Sequence, residues 1–228
     1  MVVIRKRIVG RRRRGGIMIF PEKAAVNAKI PKKSFYENLT VSTANKRIFI
    51  DQINAIYWRY KLTAENIGVA ESDGIDEIEV FEIELLKKDF DSGILHLIDR
   101  GIPYHTVFIL TYEGESQLWI AYKEKTGSGN LSVGSYYHTD FLPSDSFDLS
   151  AEGFSLDEVY ANLFYAVSGL VKDDSKPLKD VLIDHEQRQK LEKEIARLEK
   201  QLKKETQPKK KFELHQQMIQ LSRILKKE

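Results

Sequence analysis

The segment 77–112 constrains the fold more than any other part of the sequence. Residues 77–86 alternate between apolar and charged side chains, which is typical of a strand with two different faces. A helix follows, beginning at Asp89 or Asp91 and ending at Arg100, and residues 104–112 form a second β-prone run. Because a strand–helix–strand unit almost always makes a right-handed crossover, the segment predicts two parallel strands of one sheet.

Further segments on both sides extend this unit. The fold class that they predict is α/β (α+β): a mixed sheet with helices packed on it. The predicted elements are an entry loop at Pro31–Ser34, a helix from Ser42 or Thr43 to about Ile53, a strand Ala55–Leu62, a hairpin partner Gln117–Lys123, a short strand Tyr136–Phe141, and a helix from the capping box at Ser155 to about Val171.

The last part of the chain has a different pattern. After a polar linker at 173–177, leucines and isoleucines recur at steps of four, three and four residues in 191–202, and the same steps return in 214–225. Pro208 lies between the two runs, where it favours a helix start. We therefore predict a C-terminal antiparallel helical hairpin, a coiled-coil-like arm.

Charge divides the 228 residues into three parts, which we take as the domain organisation. Residues 1–17 have a net charge of +7, residues 18–171 of −10, and residues 172–228 of +5. The prediction is a basic, disordered leader, an acidic α/β domain and a charged helical arm. Because an acidic surface repels nucleic acid, any DNA contact is expected through the basic ends.

The leader suggests a second interpretation. Arg13 and Arg14 can be encoded as AGG-AGG, a ribosome-binding sequence, nine nucleotides before the codon for Met18. We therefore hypothesise that Met18 is the natural start. Intact mass of the protein from its native host tests this, and a mass that begins at Met1 would refute it.

Composition and motifs narrow the function classes. The chain has no cysteine, which agrees with a cytoplasmic setting and excludes thiolate chemistry. No apolar run approaches the roughly 20 residues of a membrane helix. The five histidines are too far apart in sequence for a local metal motif, and neither a P-loop nor a nucleophile elbow is present. We expect no cofactor and no metal.

Two carboxylates on one predicted strand form the strongest candidate for catalysis. Glu82 and Glu84 share a face, and Lys87 follows them. This set is similar to the metal-binding core of a restriction-type nuclease, but that core needs the acid and the lysine one residue apart, so that both project from the same face. Here Glu84 and Lys87 are three residues apart. An exposed or ion-paired sheet face is the simpler interpretation.

Five lysines form the candidate contact site of the arm. They lie close to the predicted turn, on both sides of the Thr206-Gln207-Pro208 break, and could touch a partner protein or DNA: Lys203, Lys204, Lys209, Lys210 and Lys211. Lysine-rich helix ends are also common for solubility alone.

Four stretches together resemble a known family. They are Ile30–Tyr36, Ile56–Leu62, the run Val80–Leu85 with Leu97–Pro103, and Leu118–Lys123, followed by the charged arm. With them, the chain from about Phe20 onward resembles the prokaryotic family catalogued as domain of unknown function 4391. The family has no assigned catalytic residues. The resemblance implies a genetic neighbourhood of DNA methyltransferases and helicases in restriction or phage-defence clusters.

Three functions follow as hypotheses. The leading one is a non-catalytic accessory protein that docks on a helicase or methyltransferase, with the arm reaching the partner or, weakly, DNA. A diverged metal-dependent nuclease using Glu82 and Glu84 is the first alternative. A homodimer held together by the arm, with a structural role, is the second.

Overall fold

A computed structural model describes residues 18–38, 42–126, 131–147 and 149–225. The predicted leader 1–17 lies outside the described residues. The strands are β1 Met18–Ile19, β2 Ala25–Ile30, β3 Ile53–Leu62, β4 Ile78–Leu85, β5 His105–Tyr112, β6 Glu115–Lys125, β7 Leu131–His138, β8 Leu142–Pro143 and β9 Leu149–Ser150; the helices are α1 Lys32–Asn38, α2 Thr43–Gln52, α3 Ala64–Ile67, α4 Gly93–Arg100, α5 Leu156–Ser168, α6 Leu178–Lys204 and α7 Pro208–Leu225.

A mixed sheet organises the first part of the chain. Its strands follow one another in the order β2-β3-β4-β5-β6-β7, and β8 pairs with β6 beyond the end of β7. Only β4 and β5 within this sheet are parallel, with Ile78 opposite His105 and Glu84 opposite Thr111. The helix α4 connects these two strands, as the alternation and helix spacing of residues 77–112 predict.

The two faces of the sheet are covered by different helices. On one face, α2 and α4 bury Phe49, Ile94 and Leu95 against Phe81 and Phe108. On the other face, α5 packs against β6 and β7, where the Tyr160 hydroxyl donates to the Ala121 carbonyl at 2.6 Å. The α+β class with a mixed sheet and packed helices is therefore confirmed.

Local signals place several of these helices. Ser42 caps α2 by accepting from the Asn45 N–H at 3.2 Å, and Ser155 caps α5 by accepting from the Glu158 N–H at 3.3 Å. Glu158 does not reach back to the capping residue itself. Its carboxylate accepts from the Phe154 N–H at 2.8 Å, one residue earlier.

Two parts of the sequence interpretation are wrong. The segment at Pro31–Ser34 is not a loop: α1 begins at Lys32, directly after Pro31, whose fixed φ suits the start of a helix. The last strand of the main sheet is not Tyr136–Phe141 but β7, which begins five residues earlier and ends at His138. Its pairing with the long strand β6 overrides the small residues that favour a loop there.

The chain forms two compact units that divide between Val171 and Lys172. In the second unit, α6 and α7 pack against each other, and a three-residue connection at 205–207 makes them antiparallel. Leu198 is buried, and the other apolar residues of the predicted seam are half-buried: Leu191, Ile195, Leu202, Leu214, Met218, Leu221 and Leu225. Pro208 opens α7, as predicted. Among the described residues, no helix is both long and apolar enough to cross a membrane.

Candidate functional site

The first predicted catalytic residue, Glu82, is held in an ion pair on β4. The Arg59 guanidinium of β3 donates to both of its carboxylate oxygens, through Nε at 2.8 Å and Nη2 at 3.0 Å. The same guanidinium lies over the Tyr57 ring, 4.5 Å from its centre. The hydrogen bond to Glu82 raises the pKa of Arg59. This bidentate arrangement fixes both side chains and occupies the Glu82 carboxylate.

The other two residues of the predicted nuclease set lie apart. Glu84 is half-buried near the end of β4 and lines a polar cleft with Thr111, Glu113 and Glu115. Lys87 is exposed beyond the end of the strand. Within residues 18–38, 42–126, 131–147 and 149–225, no three His, Asp or Glu side chains are grouped so that they could hold a metal ion.

A second acidic pair, which sequence analysis missed, lies at the beginning of the same strand. Glu77 and Glu79 are 6% and 4% exposed. Lys61 of β3 lies opposite Glu79 in the register, and its Nζ is 2.5 Å from Glu77 Oε2. Glu77 Oε1 and Glu79 Oε2 are buried and accept from no donor among the described residues. Two carboxylates in this position repel each other. One proton between them would remove the repulsion and would give the two buried oxygens a hydrogen bond.

The raised pKa of Glu79 favours this residue as the site of the proton. Burial raises the pKa of Glu79 to about 8, with further contributions from the hydrogen bond to Glu77 and from the negative charge of Glu77. The hydrogen bond from Trp58 and the charge of Lys61 oppose the shift of the Glu79 pKa. Lys61 itself is hydrogen-bonded to Glu77, which raises the Lys61 pKa. The raised pKa favours a protonated Glu79 at neutral pH, and a proton on Glu79 would be donated to the Glu77 carboxylate.

Glu79 borders an open pocket of about 360 Å³. Five structural elements supply its walls: the end of β2, the first turns of α1, strands β3 and β4, and the loop after α4. The lining residues are Ile30, Ser34, Phe35, Trp58, Glu79, Phe81, Gly101, Ile102, Pro103 and Tyr104. The lining is mainly apolar and aromatic, with one acid, a composition found in many small-molecule sites.

A buried network holds the loop on one side of this pocket. The Lys123 Nζ is 2.7 Å from Asp99 Oδ1, and both side chains are fully buried. The same ammonium donates to the carbonyls of Asp99, Ile102 and Tyr104 at 3.1, 3.1 and 2.5 Å. It thereby satisfies carbonyls that follow the end of α4. Two of those residues line the pocket, so Lys123 positions the pocket wall.

Three side chains form an ion pair or a hydrogen bond with the Asp99 carboxylate. Besides Lys123, it accepts from the Thr106 hydroxyl, and from the Tyr136 hydroxyl at 2.7 Å. Burial lowers the pKa of Lys123, and the Asp99 charge opposes this shift. Burial also raises the pKa of Tyr136. Each partner is a protein group, and the network has the character of a structural brace rather than a reaction centre.

The predicted lysines of the arm lie around its turn. Lys203 and Lys204 end α6, and Lys209, Lys210 and Lys211 occupy the first turn of α7. All five are exposed, and none lies within ion-pair distance of a carboxylate in the described part of the chain. Phe212 follows them and is 64% exposed. We call these five lysines and Phe212 the basic tip.

A sequence signal for the missed pocket exists. Glu77 and Glu79 alternate with Ile78 and Val80 just as Glu82 and Glu84 do with Ile83, so each acid of the strand was a candidate for burial. Most lining residues also come from stretches that carry the family resemblance: Ile30, Ser34, Phe35, Trp58, Phe81, Gly101, Ile102 and Pro103.

The comparisons with known proteins give one match. The model of the family described as Domain of unknown function (DUF4391) matches residues 18–225. No curated protein and no solved structure matches the chain.

Proposed function

The chain belongs to the family described as Domain of unknown function (DUF4391), and we propose that it is a non-catalytic accessory protein that binds a partner through its two-helix unit. The observation that carries the proposal is the basic tip. Five exposed lysines and one exposed aromatic ring are concentrated around the three-residue connection between α6 and α7.

The packing of the unit supports a binding role for the tip. Leu198 is buried between the helices, so α6 and α7 fill their own apolar seam. The side chains around the connection are therefore not needed to hold the hairpin together. An exposed phenylalanine beside unpaired ammonium groups is suited to a partner surface with an apolar spot surrounded by acids. The charges accelerate encounter, and the ring contributes to affinity once it is buried.

The class of partner rests on the family resemblance rather than on a contact. That resemblance implies DNA methyltransferases and helicases of restriction or phage-defence systems, and we propose that one of them carries the acidic surface. Duplex DNA is the competing occupant of the tip, because lysines also neutralise phosphates.

The test is co-purification with the methyltransferase and helicase encoded beside the gene. Wild-type protein is compared with a tip variant in which the five lysines become glutamine and Phe212 becomes alanine. The matched control changes Lys190, Lys193 and Lys200 to glutamine, which are exposed lysines of α6 away from the tip. We expect the wild type and the control to retain a partner and the tip variant to lose it. If neither neighbour binds the wild type, or if the tip variant binds as well, the proposal fails.

Two further assays separate the competing hypotheses. Incubation with duplex DNA and Mg²⁺ or Mn²⁺ tests the nuclease, which predicts cleavage that Glu84→Ala abolishes; the accessory proposal predicts no cleavage by either protein. Sedimentation with and without residues 178–228 tests the homodimer, which predicts dimers that disappear on truncation. The accessory proposal predicts the same oligomeric state for both chains.

A further inference from the structure

We propose that the pocket beside Glu79 binds a small organic cation, in which an ammonium group is joined to an apolar or aromatic body. The inference concerns the first compact unit and does not depend on the basic tip. It rests on three observations: the shape and lining of the cavity, a buried acid with no cation of its own, and aromatic walls around that acid.

The cavity has the size of a small-molecule site. Its volume of about 360 Å³ lies in the range that holds a ligand of a few to about twenty heavy atoms. The body of a ligand would lie against Ile30, Phe35, Phe81 and Ile102. Glu79 supplies the one carboxyl of the lining, and a charged ligand group would be positioned by it.

Among the described residues, no cation forms an ion pair with Glu79, although the charge of nearby Lys61 lowers its pKa. Lys61 is engaged by Glu77, with 2.5 Å between Nζ and Oε2. Arg59 is engaged by Glu82, on the opposite face of β4. Lys32 of α1 donates to the Ile53 carbonyl at 2.6 Å, at the beginning of β3. Within the described residues, Glu79 is in no ion pair, although only 4% of its surface is exposed.

Aromatic rings make the surroundings of Glu79 suitable for a cation. Trp58 and Tyr104 line the pocket beside it. The Tyr104 ring already has an ammonium near it, since Lys61 Nζ is 5.9 Å from its centre. An ammonium beside Trp58 and Tyr104 would be near aromatic rings and the Glu79 carboxyl together, an environment that favours cations. An anionic ligand would meet the Glu79 carboxyl and is disfavoured.

Binding of such a cation exchanges it for the proton of Glu79. In the free protein, the proton on Glu79 is donated to the Glu77 carboxylate. When the ammonium enters, it donates to Glu79, the proton leaves to solvent, and the charge of the pocket stays the same. Glu77, Lys61 and Tyr104 are the other titratable groups facing Glu79. Of these, Glu77 and Lys61 form a neutral pair that the exchange leaves intact.

Calorimetric titration with the phenethylammonium cation tests this, with uncharged 2-phenylethanol and anionic phenylacetate as matched probes. At pH 8, we expect phenethylammonium to bind at least about tenfold more tightly than 2-phenylethanol, and phenylacetate not to bind, since tenfold corresponds to about 1.4 kcal/mol of charge interaction. At pH 7, titrations in two buffers of different ionisation enthalpy should show release of nearly one proton per cation.

Two variants test whether Glu79 causes the preference for the cation. Glu79→Gln keeps the shape of the side chain but cannot become an anion, so the preference for phenethylammonium over 2-phenylethanol should disappear. Glu84→Gln, on the other face of the same strand, should retain it. If Glu79→Gln does not fold, a pH series of the wild type still tests whether the cation replaces the proton of Glu79. Affinity for phenethylammonium should rise from pH 6 to pH 8 and stay constant above pH 8. Equal affinity for the two probes, absence of saturable binding, or binding without proton release would overturn the inference.

Discussion

Glu79 and Glu82 are three residues apart on one strand, yet their carboxyls are in opposite surroundings. Alternation of side chains places them on different faces of the sheet. Glu82 faces a guanidinium that donates a hydrogen bond to each of its two carboxylate oxygens. Glu79 faces another acid, inside a mainly apolar pocket. The same residue type is therefore ion-paired at one position and buried with a raised pKa at the other.

The neutral state of Glu79 predicts how stability depends on pH. Between the ordinary glutamate pKa near 4.5 and the folded-state value of about 8, the folded protein holds a proton that the unfolded chain has lost. The free energy of unfolding therefore falls as pH rises through this window, by at most about 1.4 kcal/mol per pH unit. Glu79→Gln removes this dependence, so its stability relative to the wild type should increase from pH 5 to pH 8 and then stay constant.

Urea unfolding at a series of pH values, followed by tryptophan fluorescence, measures this difference. Both tryptophans lie in the main sheet. His105, whose pKa burial lowers to about 4, changes stability in the opposite direction below pH 6.5, but it is present in both proteins and cancels. Glu84→Gln is the control, with a curve parallel to the wild type. Parallel curves for Glu79→Gln as well would show that Glu79 is ionised in the folded protein.

The buried Lys123 predicts a second effect of a single residue. Lys123→Met keeps the length of the side chain but removes the ion-pair partner of the buried Asp99 and one donor from each of three carbonyls. Breaking a buried pair in this way costs about 3–5 kcal/mol. Denaturant titration measures the loss, and Lys125→Met, at an exposed residue two positions later, should change stability by less than about 1 kcal/mol. A Lys123→Met protein as stable as the wild type would contradict the stabilising role of the Lys123–Asp99 network.

At the scale of elements, sequence patterns predict what depends on neighbours along the chain. The helix α4 with its flanking strands follows from the periodicity of residues 77–112, and the break at Pro208 follows from proline chemistry. The strand β2 was missed because Ala25–Ile30 has no alternation and gains its pairing from β3. The pocket was missed for the same reason: its walls come from five elements that only the tertiary fold brings together.

The two-helix unit allows a prediction at this scale. Leu198 is 3% exposed, and Leu198→Ala removes apolar contact from the seam at a cost of about 2–5 kcal/mol. Because α6 and α7 form a compact unit of their own, the cost should be local. Hydrogen exchange should accelerate in α6 and α7 and remain unchanged in β3–β6.

Lys200→Ala, at an exposed position two residues from Leu198, is the matched control for this measurement. It should leave hydrogen exchange unchanged throughout. If Leu198→Ala accelerated exchange in the main sheet to the same extent, the two units would unfold together, and the arm could not be treated as an independent element.

At the scale of the whole molecule, charge and chemistry are divided between the two units. The first unit contains an acidic sheet domain with a pocket, and the second presents the basic tip. The account assigns partner binding to the second and ligand binding to the first. Since each proposal uses residues of one unit only, the tip variant should still bind phenethylammonium, and Glu79→Gln should still bind the partner.

The central claim, that the basic tip is the partner-binding surface, is tested most directly by hydrogen exchange of the full chain with and without the co-purified methyltransferase or helicase. The account predicts protection of the backbone at 203–212, with the exchange of β3–β6 unchanged. Protection confined to the sheet unit, with 203–212 exchanging as in the free protein, would contradict it.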